Sequence, residues 1–361
     1  MTPMRVARLV LASACLLAAA ALVAGCGDDS SSDSTGGAVA VAESRPAPPK
    51  ADFPAPEGRT LEEVLKLGDK PSLLKIEPAA MVFYEGKNRY PFGIAERDGT
   101  EVTDAEVALY FARVPVVKPG ARSKSGNKGP VAKAEAGALE QLAIGPFPAR
   151  IESLAADPEF RAEEAADGRP DPASVVYSTE INFPRNGKWL IAALVKEDDE
   201  LGGKLLQGAM VGEFKKIPRP GEPAPRIHTP TAQDVGGDPS KISTRIPPDS
   251  QNKVDYADAL GKEPIVLLFA TPQFCQSRVC GPVVDQTEQA KLKYGDQAAF
   301  IHMEIYNDND PADGVRPQVR AFHLPSEPWL FTIDRQGDVS ATIEGAFGTE
   351  LLDEAIEKAI R

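Results

Sequence analysis

The run LLFATPQFCQSRVCGPVVDQTEQAKLKYG, residues 267–295, passes from an apolar, strand-like stretch into a helix-like one and carries Cys275 and Cys280 at the junction. A strand feeding a helix asks for a sheet with that helix packed on its face. Unpaired N–H groups and the dipole at a helix start favour thiolate, the reactive form of cysteine. The pair therefore constrains the fold and points to redox chemistry.

The two other cysteines belong to the N-terminal segment. Arg5 and Arg8 precede an apolar stretch from Leu9 to Val23, which is short for a membrane span and reads as an export signal over residues 1–25. Leu22-Val23-Ala24-Gly25-Cys26 resembles the lipobox of bacterial lipoproteins. The resemblance implies that Cys15 leaves with the signal and that Cys26 is lipidated. It places the chain on the outer face of the bacterial cell membrane, in an extracytoplasmic setting where disulfides persist. A formal charge of −13 with no basic cluster to offset it excludes a nucleic-acid partner.

Residues 26–69 are rich in Gly, Ser, Asp, Ala and Pro and are expected to form a flexible tether, with folded structure starting near Leu61 or later. Between 70 and 214, short alternating stretches such as YPFGIAER, EVALYFARV, VVYSTEINF and KWLIAALVK are separated by turn signals, among them Asp98-Gly99 and Asn186-Gly187. That spacing predicts an all-β sandwich, and the domain resembles immunoglobulin-like folds. The stretch between Val114 and Ala173 breaks the pattern and reads as an insertion, part loop and part short helix. A Pro-rich connector, 215–250, leads to a third region, 251–361. There the predicted order is helix, strand PIVLLFA, helix from Cys275 to Tyr294, strand AAFIHMEIY, short helix, strand WLFTID, strand DVSATIEG and terminal helix. This is a small α/β sheet.

With cysteines after its first strand, the last region resembles the thioredoxin fold (thioredoxin/TlpA-like superfamily), and the chain as a whole a bacterial lipoprotein ending in such a domain. The quoted features are PIVLLFATPQFC, Pro282-Val283-Val284-Asp285, and Ser326-Glu327-Pro328-Trp329 before a strand. The resemblance implies that Pro328 is the cis-proline beside the cysteine pair. It implies that Cys275 attacks and Cys280 resolves, that Gln273, Phe274 and Trp329 line a substrate groove, and that the partners are extracytoplasmic protein thiols or disulfides, with no cofactor. Reading Cys280-Gly281-Pro282 as the first-cysteine motif instead would leave Val283 at the partner position.

Four residues separate the cysteines where thioredoxins have two. On a regular helix an offset of five turns the residues about 140° apart and separates their Cα atoms by roughly 8–9 Å, beyond a disulfide. Either Cys275 lies before the first turn, or the helix start opens on oxidation. The same spacing resembles the Q-type peroxiredoxins, with Thr271 one residue out of register. A membrane-tethered fold with paired cysteines also resembles the Sco-type copper proteins, for which Cys275, Cys280, His302 and His323 would be the ligand candidates. A structural disulfide on a non-catalytic thioredoxin fold that binds a partner is the remaining alternative.

Overall fold

A computed structural model describes residues 42–116, 137–163 and 171–361. The export signal and the Cys26 lipidation position lie outside the described residues. Thirteen strands, β1 to β13 in chain order, form three sheets among the described residues.

Two of the sheets face each other. One has the order β1-β9-β8-β4-β5, from Lys70–Pro71, Glu200–Val211, Gly187–Glu197, Val107–Arg113 and Ile144–Pro148. The other has the order β2-β3-β7-β6, from Lys75–Pro78, Gly86–Ala95, Val175–Phe183 and Arg150–Ser153. Alternate residues of facing strands meet in one core: Phe92 and Tyr90 of β3, Leu109 and Phe111 of β4, Tyr177 of β7, and Ile191 of β8.

β4 and β8 are buried on both faces, which is why they read as continuous apolar runs. Their outer face, Ala108, Tyr110, Ala112, Leu190, Ala192 and Leu194, needs a cover, and Phe53, Leu61 and Val64 supply it. This corrects the expected tether over 42–69: the segment is bound to the sheet because it shields apolar surface. Within it, helix α1 (Leu61–Leu65) opens on a capping box. Thr60 Oγ1 accepts from Glu63 N (3.3 Å), and Glu63 Oε2 accepts from Thr60 N (2.8 Å). Thr60→Ala is expected to lower global stability by about 1 kcal/mol in urea unfolding, whereas a cap on a loose tether would leave it unchanged.

Two further readings change. The stretch expected to be an insertion contains β5 and β6, which lie in different sheets, so the chain crosses the sandwich at Ala149. The cis Gly145-Pro146 bond and a second proline hide the alternation there. β9 gave no strand signal because Gly202, Gly203 and Gly208 interrupt it, yet the packing requires small residues: a Cβ at Gly208 would lie 2.7 Å from Trp189 O.

The third sheet has the order β11-β10-β12-β13, with β10 (Ile265–Phe269) parallel to β11 (Ala299–Met303) and antiparallel to β12 (Trp329–Ile333), which pairs with β13 (Val339–Glu344). Helices α2 (Tyr256–Ala259) and α4 (Pro317–Ala321) join Ile265, Leu267 and Phe269 on one face. Helices α3 (Cys280–Tyr294) and α5 (Thr349–Ile360) join Val266 and Leu268 on the other. This is the element order that the thioredoxin resemblance implied.

The sandwich and the α/β region share that second core, because Leu154 and Val176 pack with Cys280, Val283 and Phe347. The Pro-rich segment is docked as well. Ala224 N donates to Gly337 O (2.9 Å) and Gly221 N to Val339 O (2.8 Å) along the free edge of β13, while His302 N donates to Gln251 O (2.9 Å) beside β11. It thereby covers part of the β13 edge, and Gln251, just past its end, reaches the β11 edge.

Candidate functional site

α3 begins at Cys280, and Cys275 sits in the loop that leads to it. Of the two arrangements the spacing allowed, the structure has the cysteine outside the helix. Cys275 O accepts from Arg278 N (3.4 Å), and Arg278 takes a left-handed φ of 61°, folding the loop back on itself. The Cα atoms come within 5.9 Å, and the two sulfurs form a disulfide. The expected dipole effect therefore moves. Cys280, not Cys275, occupies the first helical position, where unpaired N–H groups favour thiolate.

The two sulfurs differ in access. Cys280 is fully buried, whereas Cys275 is partly exposed and has Ser277 Oγ at 3.3 Å as a polar neighbour. Arg278 donates from its guanidinium to Asp171 O (3.2 Å), and its carbonyl accepts from Ala173 N (3.0 Å). The segment before β7 thus holds the cysteine loop.

The Glu327-Pro328 bond is cis, and Pro328 is buried with its carbonyl accepting from Gly345 N (2.9 Å). Gln273 is exposed and Phe274 partly buried, edge-on to Tyr306 at 6.1 Å. Trp329 corrects the expected groove. It is 2% exposed, stacks on Phe331, and donates Nε1–H to Ser326 Oγ (3.0 Å). As the first residue of β12 its ring is directed into the core under α4, so it cannot touch a substrate.

The copper ligand set is not assembled. His302 uses Nδ1 on Asp249 (2.7 Å) and Nε2 on Ala270 O (3.1 Å), while His323 is exposed in the turn after α4. No group of three metal-binding side chains occurs among the described residues. Nor does the peroxidase geometry form: Thr271 is buried, and its hydroxyl has no hydrogen-bond partner among the described residues.

Several groups at the site carried no signal in the sequence. Glu327 Oε2 accepts from Thr271 N (2.8 Å) and lies 3.8 Å from Cys280 Sγ. Burial, reinforced by the charge of Glu304, pushes its carboxyl up to about 8. Glu304 is fully buried and accepts from Thr244 Oγ1 (2.7 Å) and Thr244 N (2.5 Å). Thr244 Oγ1 in turn accepts from Gln273 N (3.1 Å), so the Pro-rich segment braces the cysteine loop. Arg245 adds a buried ion pair with Asp285 of α3 at 2.7 Å. Only the oddity of a carboxylate beside an expected cis-proline could have marked Glu327 beforehand.

No family model matches the chain, and no curated protein matches it. Among solved structures it is similar to a protein described as the thiol:disulfide interchange protein DsbE of Chlorobium tepidum, at 19% identity and a TM-score of 0.27, over 40% of this chain and 99% of that one. It is also similar to a thioredoxin-family thiol:disulfide interchange protein from Chlorobium tepidum TLS, at 18% identity and a TM-score of 0.27, over 41% of this chain and 100% of that one.

Proposed function

We propose that this chain exchanges thiols and disulfides with extracytoplasmic proteins, held to the outer face of the bacterial cell membrane by lipid on Cys26. The observation that carries the reading is a partly exposed Cys275 bridged to a buried Cys280 beside a cis Glu327-Pro328 bond. An accessible sulfur next to a protected one is what ordered exchange requires. The Cys275 thiolate attacks a substrate disulfide, forming a mixed disulfide with one substrate sulfur and releasing the other as thiolate. Cys280 then attacks Cys275, closing the bridge and releasing the second substrate thiolate. Gln273 and Phe274 would meet the substrate. A cleft of about 810 Å³ opens beside Gln273, with Thr244, Ile246, Asn309 and Arg316 among its lining, and offers room for the chain flanking the substrate's cysteine.

The two facing β-sheets form an immunoglobulin-like sandwich in this reading, serving as the rigid body that carries the redox domain away from the membrane. In this reading the bridge is exchanged rather than structural, and the protein is an oxidoreductase rather than a passive binding module. Wild type is expected to exchange with a model disulfide peptide and Cys275→Ser to lose that activity. The Cys275–Cys280 couple is expected to titrate above about −300 mV, the range below which structural bridges fall. Equal inactivity of both proteins, with a bridge that resists reduction beyond that value, sinks the proposal.

A further inference from the structure

Opening the bridge at Cys275 puts negative charge on Cys280, whose sulfur is sealed from bulk water. A thiolate left there without a proton costs free energy, since burial disfavours the charged form. Helix α3 offsets part of that through its first N–H groups. The remainder requires a proton from a group already in contact. Among the described residues, the titratable side chain within reach of Cys280 Sγ is Glu327, with Oε2 at 3.8 Å.

Its surroundings keep that carboxyl loaded. Glu304, at the end of β11, is fully buried with one oxygen on Thr244 and the other lacking any hydrogen-bond partner among the described residues. Its charge opposes ionisation of Glu327, while His302 favours it, and burial dominates both. Asp249 of the Pro-rich segment is tied up by His302, Arg316 faces Glu304, and Tyr306 feels the Glu327 charge from the loop after β11. At neutral pH the carboxyl is therefore mainly protonated, next to the sulfur that must leave.

We propose that Glu327 is the acid that protonates Cys280 when a thiolate opens the disulfide, and the base that removes that proton when the disulfide closes. The incoming thiolate forms a bond to Cys275 Sγ, and the Cys275–Cys280 bond breaks with its electron pair on Cys280. The proton of Glu327 then passes to Cys280, leaving a carboxylate, a thiol and a mixed disulfide. Closure reverses each transfer, so no further oxidant or proton source enters the step. The inference rests on the exchange reading for its biological use, but the chemistry can be measured without it.

The test uses 2-mercaptoethanol as the attacking thiol, with bridge opening followed by acid quench, alkylation and mass spectrometry between pH 5.5 and 10. Expressed per thiolate, the wild-type rate is expected to hold steady at low pH and fall as pH rises through about 8. Glu327→Gln keeps an acceptor for Thr271 N. It is expected to open about 100-fold more slowly below that pH, with the step gone. An unchanged rate and profile in the variant overturns the inference. Infrared difference spectra of the two proteins give a readout free of turnover: a protonated carboxyl band at pH 7 is expected, and its absence overturns the inference equally. Loss of peptide exchange with a Glu327-dependent opening intact would instead count against the proposed function alone.

Discussion

Cys280→Ala is expected to trap a stoichiometric mixed disulfide between Cys275 and a substrate thiol, with turnover abolished. Cys275 keeps its partial exposure in the variant, so reaction with a substrate disulfide proceeds. With no second thiol, the adduct has no internal route to resolve. Non-reducing electrophoresis and intact mass after incubation with a disulfide peptide read the adduct directly. The reciprocal variant, Cys275→Ala, leaves one thiol that is fully buried and should form no adduct on the same timescale. Equal trapping by both variants would mean that the order of attack is wrong, or that the loop opens before chemistry. The contrast is large because the two sulfurs differ in access more than in chemistry.

His302→Leu is expected to destabilise the fold by about 3–5 kcal/mol, the cost of stranding a buried charge. The side chains of His302 and Asp249 are 1% and 0% exposed, and their ion pair ties the Pro-rich segment to the edge strand β11. Ser243 Oγ (2.9 Å) and Gln251 N (3.0 Å) also donate to Asp249, but neither neutralises it. The double variant His302→Leu, Asp249→Leu should recover part of the loss, as apolar replacement of a whole buried pair often does. Urea unfolding of the three proteins at one pH measures this. A His302→Leu protein as stable as wild type would show that the charge is not sealed.

The pair also sets a pH window. Burial pushes the His302 imidazolium down, but the Asp249 carboxylate outweighs it and holds the group up at about 9, against an ordinary 6.5. Its contribution is therefore full below pH 6.5 and lost as pH rises through 9. Asp249 is held below its ordinary 3.8 by His302 despite burial, so its contribution is present above that value and lost as pH falls through the depressed one. The pair supports the fold most between pH 3.8 and 6.5. Between pH 6.5 and 9.5 wild type should lose stability that His302→Leu does not.

Local signals carried the α/β region well. The apolar five-residue strands at 265–269, 299–303 and 329–333 fall where the sequence placed them, because strands buried on both faces read as unbroken apolar runs. Pro328 stands at the cis bond because an X–Pro bond before a strand is a local feature. The sandwich was less legible. Its glycine-interrupted β9 and proline-broken β5 owe their pairing to neighbours far along the chain. Position alone puts Trp329 at the groove, while the side to which its ring points is set by the register of β12 with Phe269 and Glu344.

The sequence by itself determined that two cysteines five positions apart cannot bridge inside a regular helix, and that they sit between a strand and a helix. Those follow from helix geometry and short-range pattern. Tertiary structure decided the rest: that Cys275 stays outside the helix, held through Arg278 by the segment before β7, and that Cys280 takes the buried end of the pair. It also decided which of many carboxylates matter. Glu327, Glu304 and Asp249 have ordinary neighbours in sequence, and their properties come from desolvation and from charges brought in by distant segments. Burial belongs to the packed molecule, and no local pattern encodes which acid it will enclose.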